Sequence, residues 1–124
     1  MSERDSEPNS PPPGADDLFT AVDALHAWLN HERREGDWEL LLVGLLKLSE
    51  EVGEVAQAAI GATGHNPRKG TSHTWDDVRA ELCDVAITAL VALRSLTPDA
   101  RAVFTDHLAG VLERSLGPAT ERAS

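Results

Sequence analysis

The sequence predicts an all-α fold: a four-helix bundle-like body between an opening segment and a short end that have little to bury. Three observations carry this reading. Apolar residues recur at helical spacing in four separate segments, and Gly, Pro and capping residues mark the boundaries between them. No stretch shows the alternation of a half-buried strand, and no repeat appears at solenoid periods.

Taken in order, residues 1–15, "MSERDSEPNSPPPGA", are rich in Ser, Pro and acid and read as a disordered tail. The helical domain spans 16–117, and 118–124 reads as a flexible C-terminus. In the first helix Leu18, Val22, Leu25 and Leu29 share a face, with Asp16 or Asp17 as cap and an end near Gly36. The second starts with Asp37 as N-cap and runs to Gly61 or Gly64. "GATGHNPRKGTSH" follows as a loop, with its glycines, its proline and no apolar period. "TWDD" is a capping box that opens the third helix, Thr74 as N-cap and Asp77 reaching back, and this helix continues to about Leu96. Thr97 as N-cap and Pro98 as first helical residue open the fourth, which ends at Gly117.

Composition narrows the classes of function. At 124 residues with 41% hydrophobic content, the chain holds one small domain with a core. Eleven Lys and Arg against 21 Asp and Glu give a net charge of -10, which argues against a nucleic-acid binder. A phosphorylated small molecule stays compatible, because bound cations invert local charge. The one cysteine, Cys83, allows no internal disulfide and suits a reducing compartment. No signal peptide is recognisable, and the run "VAITALVAL" falls short of the roughly 20 residues that span a bilayer. The expectation is a cytoplasmic protein without nucleic-acid or membrane partners.

One stretch poses a chemical question. "LLKLSEEVGEVAQAAIG" sets Glu50, Glu51 and Glu54 on one helix, where like charges a turn apart repel. Leu41, Leu45, Leu48, Val52, Val55 and Ala59 form a four-three stripe expected to be the packing seam, with Glu51, Glu54 and Lys47 along its edge and Glu50 beside them. On the third helix Glu81 and Asp84 share a face, flanked by Asp77 and Thr88. Val78, Leu82, Val85, Ile87, Leu90, Val91 and Leu93 cover nearly every other direction, which predicts a buried helix. Buried carboxylates require a cation, a base or a proton. Lys47, Arg79 and Arg94 are too few to neutralise six acids on these two helices. Two helices each bringing an acidic pair at i, i+3 make an all-oxygen site, the preference of magnesium or manganese.

"EEVGE" followed by "ELCD" resembles the E-E-x-x-E plus E-x-x-D pattern of the MazG-like all-α nucleotide pyrophosphohydrolases. The resemblance covers about Leu18 to Leu96, with "KLSEEVGEVAQA" and "AELCDVAITALVAL" close to that family's wording. It implies a MazG-type fold completed by oligomerisation, as a dimer or tetramer. It also implies hydrolysis of a nucleoside triphosphate between the α and β phosphates, giving a monophosphate and pyrophosphate. Glu51, Glu54, Glu81 and Asp84 would then be the Mg2+ ligands, with Mn2+ as substitute, and Glu50 would orient or deprotonate the attacking water. Trp38 is the first candidate for the base pocket. Relatives carry a Lys/Asn/Arg-rich stretch on the last helix, whereas here it reads "HLAGVLERSLG" with Arg114 its one firm positive charge.

Each residue also has an ordinary use. Glu50 suits a surface carboxylate, Asp77 the capping box, and Lys47 either phosphate or an i, i+4 partner for Glu51. His65, Asn66, Arg68 and Lys69 form a locally basic loop that either closes over a triphosphate or merely connects. Cys83, Trp28 and Trp75 read as packing residues, while His26 and His31 lack ligand spacing. Two other readings compete: a non-catalytic relative that binds a nucleotide or a protein, and a di-iron carboxylate bundle. The last wants Glu-x-x-His pairs that these helices lack.

Overall fold

A computed structural model describes residues 17–31, 38–64 and 72–117 of the chain. Among the described residues the architecture is all-helical, with α1 Leu18–Asn30, α2 Trp38–Thr63, α3 Trp75–Leu96 and α4 Ala100–Leu116 and no strand.

Local chemistry accounts for most of the boundaries. α1 is described to Asn30, and the expected end near Gly36 lies outside the described residues. There Asn30 Nδ2 donates to the His26 carbonyl at 2.7 Å and His31 Nδ1 to that of Trp28 at 2.6 Å, so side chains take up terminal carbonyls. Asp17 occupies the N-cap position without a side-chain cap bond. Asp16 and Asp37, the other expected caps, lie outside the described residues, as do both terminal segments. α2 ends at Thr63, where Gly64 takes φ 71°, a left-handed stop that suits glycine. α3 opens on the expected capping box: Asp77 N–H donates to Thr74 Oγ1 at 3.2 Å, and Thr74 N–H donates to the Asp77 carboxylate at 2.9 Å.

The start of α4 corrects the sequence reading. Thr97 closes α3, extended at φ -151° and ψ 132° with its N–H bonded to the Leu93 carbonyl at 3.1 Å, while its Oγ1 accepts the Asp99 N–H at 3.2 Å and so caps the turn that leads into α4, whose N-cap position is Asp99. The cause is Pro98, whose ring disfavours a helical conformation at the preceding residue. Pro98 and Asp99 form a turn, and the first helical bond runs from Val103 N–H to the Asp99 carbonyl at 3.1 Å.

α2 and α3 form the most extensive helix pair, α1 packs on α3, and α4 touches α3 only slightly. Gly61 lies against Ser72 and His73, and Glu54 lies near Glu81, so α2 and α3 run antiparallel as a hairpin. The positions of α2 withdrawn from solvent are Leu41, Gly44, Leu48, Glu51, Val55, Ala58 and Ala62, with Ala59 and Gly61 beside them. This is a strict three-four seam, but it is rotated from the expected stripe. Leu45 is 41% and Val52 52% exposed, and their places are taken by small residues and by Glu51 itself. On α3 the matching positions are Val78, Glu81, Val85, Thr88 and Ala92.

The α1 side supplies a second contact. Phe19 and Val22 are buried, the Phe19 and Phe104 ring centroids lie 5.9 Å apart, and the Arg101 guanidinium sits 5.4 Å over the Phe19 ring. Arg94 Nε donates to Asp23 at 2.8 Å, tying α3 to α1. Along α4 the one buried residue is Ala100, while Leu108, Val111, Leu112 and Leu116 are exposed. α3 is not the buried helix its composition predicted. Its one buried side chain is Val78, while Leu82 and Ile87 stand exposed. Cys83, expected in the core, points to solvent on the side of α3 opposite the seam. None of the described helices is long and apolar enough to cross a membrane.

Two substitutions test these contacts. Thr74→Ala removes the cap and should lower stability by about 1 kcal/mol in chemical denaturation. Gly61→Ala gains helix propensity, but its Cβ would collide with Ser72 and the His73 ring. The overpacking should win, at a net loss of about 1–3 kcal/mol in the same assay.

Candidate functional site

The hairpin decides where the acids go. On α2 Glu51 stands in the seam itself, one turn from Leu48 and Val55, and Glu54 and Glu50 follow on the exposed flank. On α3 Glu81 holds a seam position and Asp84 the exposed flank one turn on. The antiparallel pairing thus brings Glu51 and Glu54 to the level of Glu81 and Asp84.

Electrostatics record that proximity. Partial burial, then the charge of Glu54, then that of Asp84 raise Glu81 above its ordinary carboxylate value of 4.5. A hydrogen bond shared with Glu54 and the charge of Glu51 push in the same direction. Glu51 contributes a different signal: its Oε2 is buried and has no hydrogen-bond partner. Such an atom costs about 1–3 kcal/mol, or more when it is charged, unless something supplies the missing interaction.

The nearby cations are committed elsewhere. Arg79 pairs with Asp76 in its own first turn, and Arg94 pairs with Asp23. Lys47 is exposed and makes no ion pair with Glu51 among the described residues. The donor set is all oxygen, concentrated and, among the described residues, without a positive partner, which suits a hard divalent cation chemically. As the side chains stand, however, no three His, Cys, Asp or Glu groups among the described residues converge closely enough to hold a metal ion. The four carboxylates are neighbours, and side-chain rotation would be needed to turn them onto one point.

The remaining sequence candidates divide. Asp77 belongs to the capping box, whose backbone hydrogen bond with Thr74 lowers its carboxyl below 3.8 against some desolvation. Trp38 is 69% exposed and lies thirteen residues before Glu51, about 20 Å along the helix axis. The hairpin does not bring it to the acids. Trp28 and Trp75 are also exposed. His65, Asn66, Arg68 and Lys69 lie outside the described residues. What the sequence reading missed is the seam position of Glu51. The signal was present in the three-four spacing from Leu41 through Gly44 to Ala62, once small residues are counted as seam formers. A polar notch of about 220 Å³ opens elsewhere, between the starts of α1 and α4, lined by Asp23, Asp99 and Arg101 among others.

Comparison with known protein families, with curated proteins and with solved structures gives no match.

The pH dependence of stability separates the two perturbed acids. Glu81 holds its proton more tightly in the folded chain, so its contribution is fully present below pH 4.5 and is lost as pH rises through the raised value. Asp77 has the opposite sign, its contribution lost as pH falls through a value below 3.8. In chelator, the melting temperature should therefore fall as pH rises from 4.5 toward neutrality, and Glu81→Gln should flatten that slope. An unchanged slope in the variant would mean that Glu81 does not feel its neighbours.

Proposed function

We propose that this chain is a Mg2+-dependent nucleotide pyrophosphohydrolase of the MazG-like kind. It would cleave a nucleoside triphosphate between the α and β phosphates and release a monophosphate and pyrophosphate. One observation carries the reading: the buried, partnerless Glu51 Oε2 sits among the carboxylates of Glu54, Glu81 and Asp84 at the centre of the helical hairpin. The "EEVGE" and "ELCD" resemblance supplies the reaction class.

Glu51, Glu54, Glu81 and Asp84 would hold Mg2+, or Mn2+ in its place. The metal would supply neutralisation of phosphate charge and polarisation of the phosphoryl group. The chain's own residues have distinct tasks. Glu50, exposed beside the cluster, would orient a water or take its proton, which would make Glu50 and Glu51 the catalytic carboxylates. Lys47, one turn before Glu51 and free of an ion pair to it, is available to a phosphate oxygen. Arg68 and Lys69 are the loop candidates for the same role. Trp38 reaches a base only if that base is bound far along α2 or by another copy.

A second reading, a non-catalytic nucleotide- or protein-binding module, is favoured by the sparse positive charge. α4 carries only Arg101 and Arg114, and Arg101 lies over Phe19. Pyrophosphate release from a panel of nucleoside triphosphates, with Mg2+ and with chelator, decides between them. The hydrolase reading expects metal-dependent release that Glu51→Gln lowers by about 100-fold or more. No release from any nucleotide, with Mg2+ still raising the melting temperature, would establish the binding module. No response of either kind would remove the metal site.

A further inference from the structure

Contacts between α2 and α3 fix their register. Glu54 and Glu81 share a hydrogen bond. Two helical turns toward the connection, about 10 Å along each axis, stand Gly61 on α2 and Thr74 at the cap of α3. There Gly61 lies against His73 and Ser72, the two residues before that cap. Two turns in the other direction, the same register sets Lys47 level with Thr88. A seven-residue step also returns to the same face of a helix. Lys47 and Thr88 therefore continue the strip that carries Glu54 and Glu81, with Glu51 and Asp84 between.

Both groups are donors without a commitment elsewhere. Thr63, Ser95 and Thr105 return their hydroxyls to carbonyls of their own helices. Thr88, half-buried in the seam, makes no such bond among the described residues. Lys47 is exposed and in no ion pair among them, whereas Arg79 and Arg94 are engaged. The opposite end of the strip differs in kind. Asp77 stands there with its carboxylate on the Thr74 N–H, and His73 Nδ1 lies 3.0 Å from Ser72 Oγ. One end of the acidic strip thus offers an ammonium and a hydroxyl, and the other a carboxylate.

We propose that Thr88 and Lys47 together hold the terminal phosphates of the substrate, the two that leave as pyrophosphate, and so make the site select a triphosphate over a diphosphate. The inference rests on reading the acids as a nucleotide site and adds the direction in which the phosphate chain runs. Phosphates beyond those a metal neutralises need donors of their own, and a stretch of carboxylates offers none. Lys47 supplies a compact point charge and Thr88 a directed O–H, and hydrogen bonds to an ionised acceptor are the strong ones. Neither group forms or breaks a covalent bond. This placement also fits the sparse charge of α4, since the terminal phosphates are held on the hairpin itself.

Calorimetric titration of the full chain with pyrophosphate in the presence of Mg2+ tests the assignment apart from turnover. Thr88→Val, which keeps the shape and removes the O–H, and Lys47→Gln should each weaken pyrophosphate binding by about 10-fold or more. Binding of a nucleoside monophosphate and the rise in melting temperature with Mg2+ should be retained in both. Thr88→Ser should bind pyrophosphate as the unaltered chain does, which a packing role for the methyl group would not allow. In turnover, Thr88→Val and Lys47→Gln should narrow the kcat/KM preference for triphosphate over diphosphate by a similar factor. Unchanged pyrophosphate affinity in both variants, with the unaltered chain still releasing pyrophosphate, would overturn this assignment and leave the hydrolase reading standing. Affinity lost in Arg68→Gln or Lys69→Gln and kept in Thr88→Val would overturn it too, by giving the terminal phosphates to the connection between α2 and α3. Neither binding nor turnover in the unaltered chain would remove both readings.

Discussion

Two carboxylates in the seam between α2 and α3 are the constraint from which the rest of this structure follows. Glu51 and Glu81 occupy steps of a three-four pattern that ordinarily carries apolar side chains. Around them the seam of α2 mixes the large Leu41, Leu48 and Val55 with the small Gly44, Ala58 and Ala62. Val22, on α1, is the largest side chain to be fully enclosed. Further large aliphatic residues of α2, Leu42, Leu45, Leu46, Val52 and Ile60, stand exposed outside the seam. Carboxylates inside the seam and aliphatic side chains outside it are thus two aspects of one allocation of residues.

That allocation also explains which parts of the fold were legible in the sequence. The limits of α3 were readable to the residue, because Thr74 and Asp77 specify its start by a reciprocal pair of hydrogen bonds and Pro98 forces its end. The same proline misled the reading of α4. It can serve as a first helical residue, but here the extended Thr97 closes α3 while its Oγ1 caps the Pro98–Asp99 turn, and the helix begins two residues later, at Ala100. The seam of α2 was harder to choose, since the helix is apolar on two faces and periodicity alone ranks the bulkier one first. Leu45 and Val52 outweigh Gly44 and Ala62 on any hydropathy scale, yet the small residues lie inward. Burial of α3 and Cys83 was inferred from composition, which cannot say whether the covering surface belongs to the same chain.

The acidic site was legible as a list of residues and not as an arrangement. Spacing at i, i+3 is enough to put Glu51 with Glu54 and Glu81 with Asp84. Spacing cannot show that Glu51 is drawn inward while Glu50 and Glu54 remain outside. Nor could it show that Arg79 and Arg94 are already engaged with Asp76 and Asp23, which leaves the carboxylates without a neighbouring guanidinium among the described residues.

The corner at Thr97 and Pro98 has a consequence for how stability is distributed along the chain. Past the Phe19–Phe104 contact the apolar side chains of α4, Leu108, Val111, Leu112 and Leu116, are exposed among the described residues, and a short helix so little buried opens at little cost. In native-state hydrogen exchange, amide protection would fall away along α4 from Phe104 toward Leu116, while the centre of the α2–α3 hairpin would exchange only on global unfolding. The hairpin that carries the acids would then be the slower-exchanging part of the described chain.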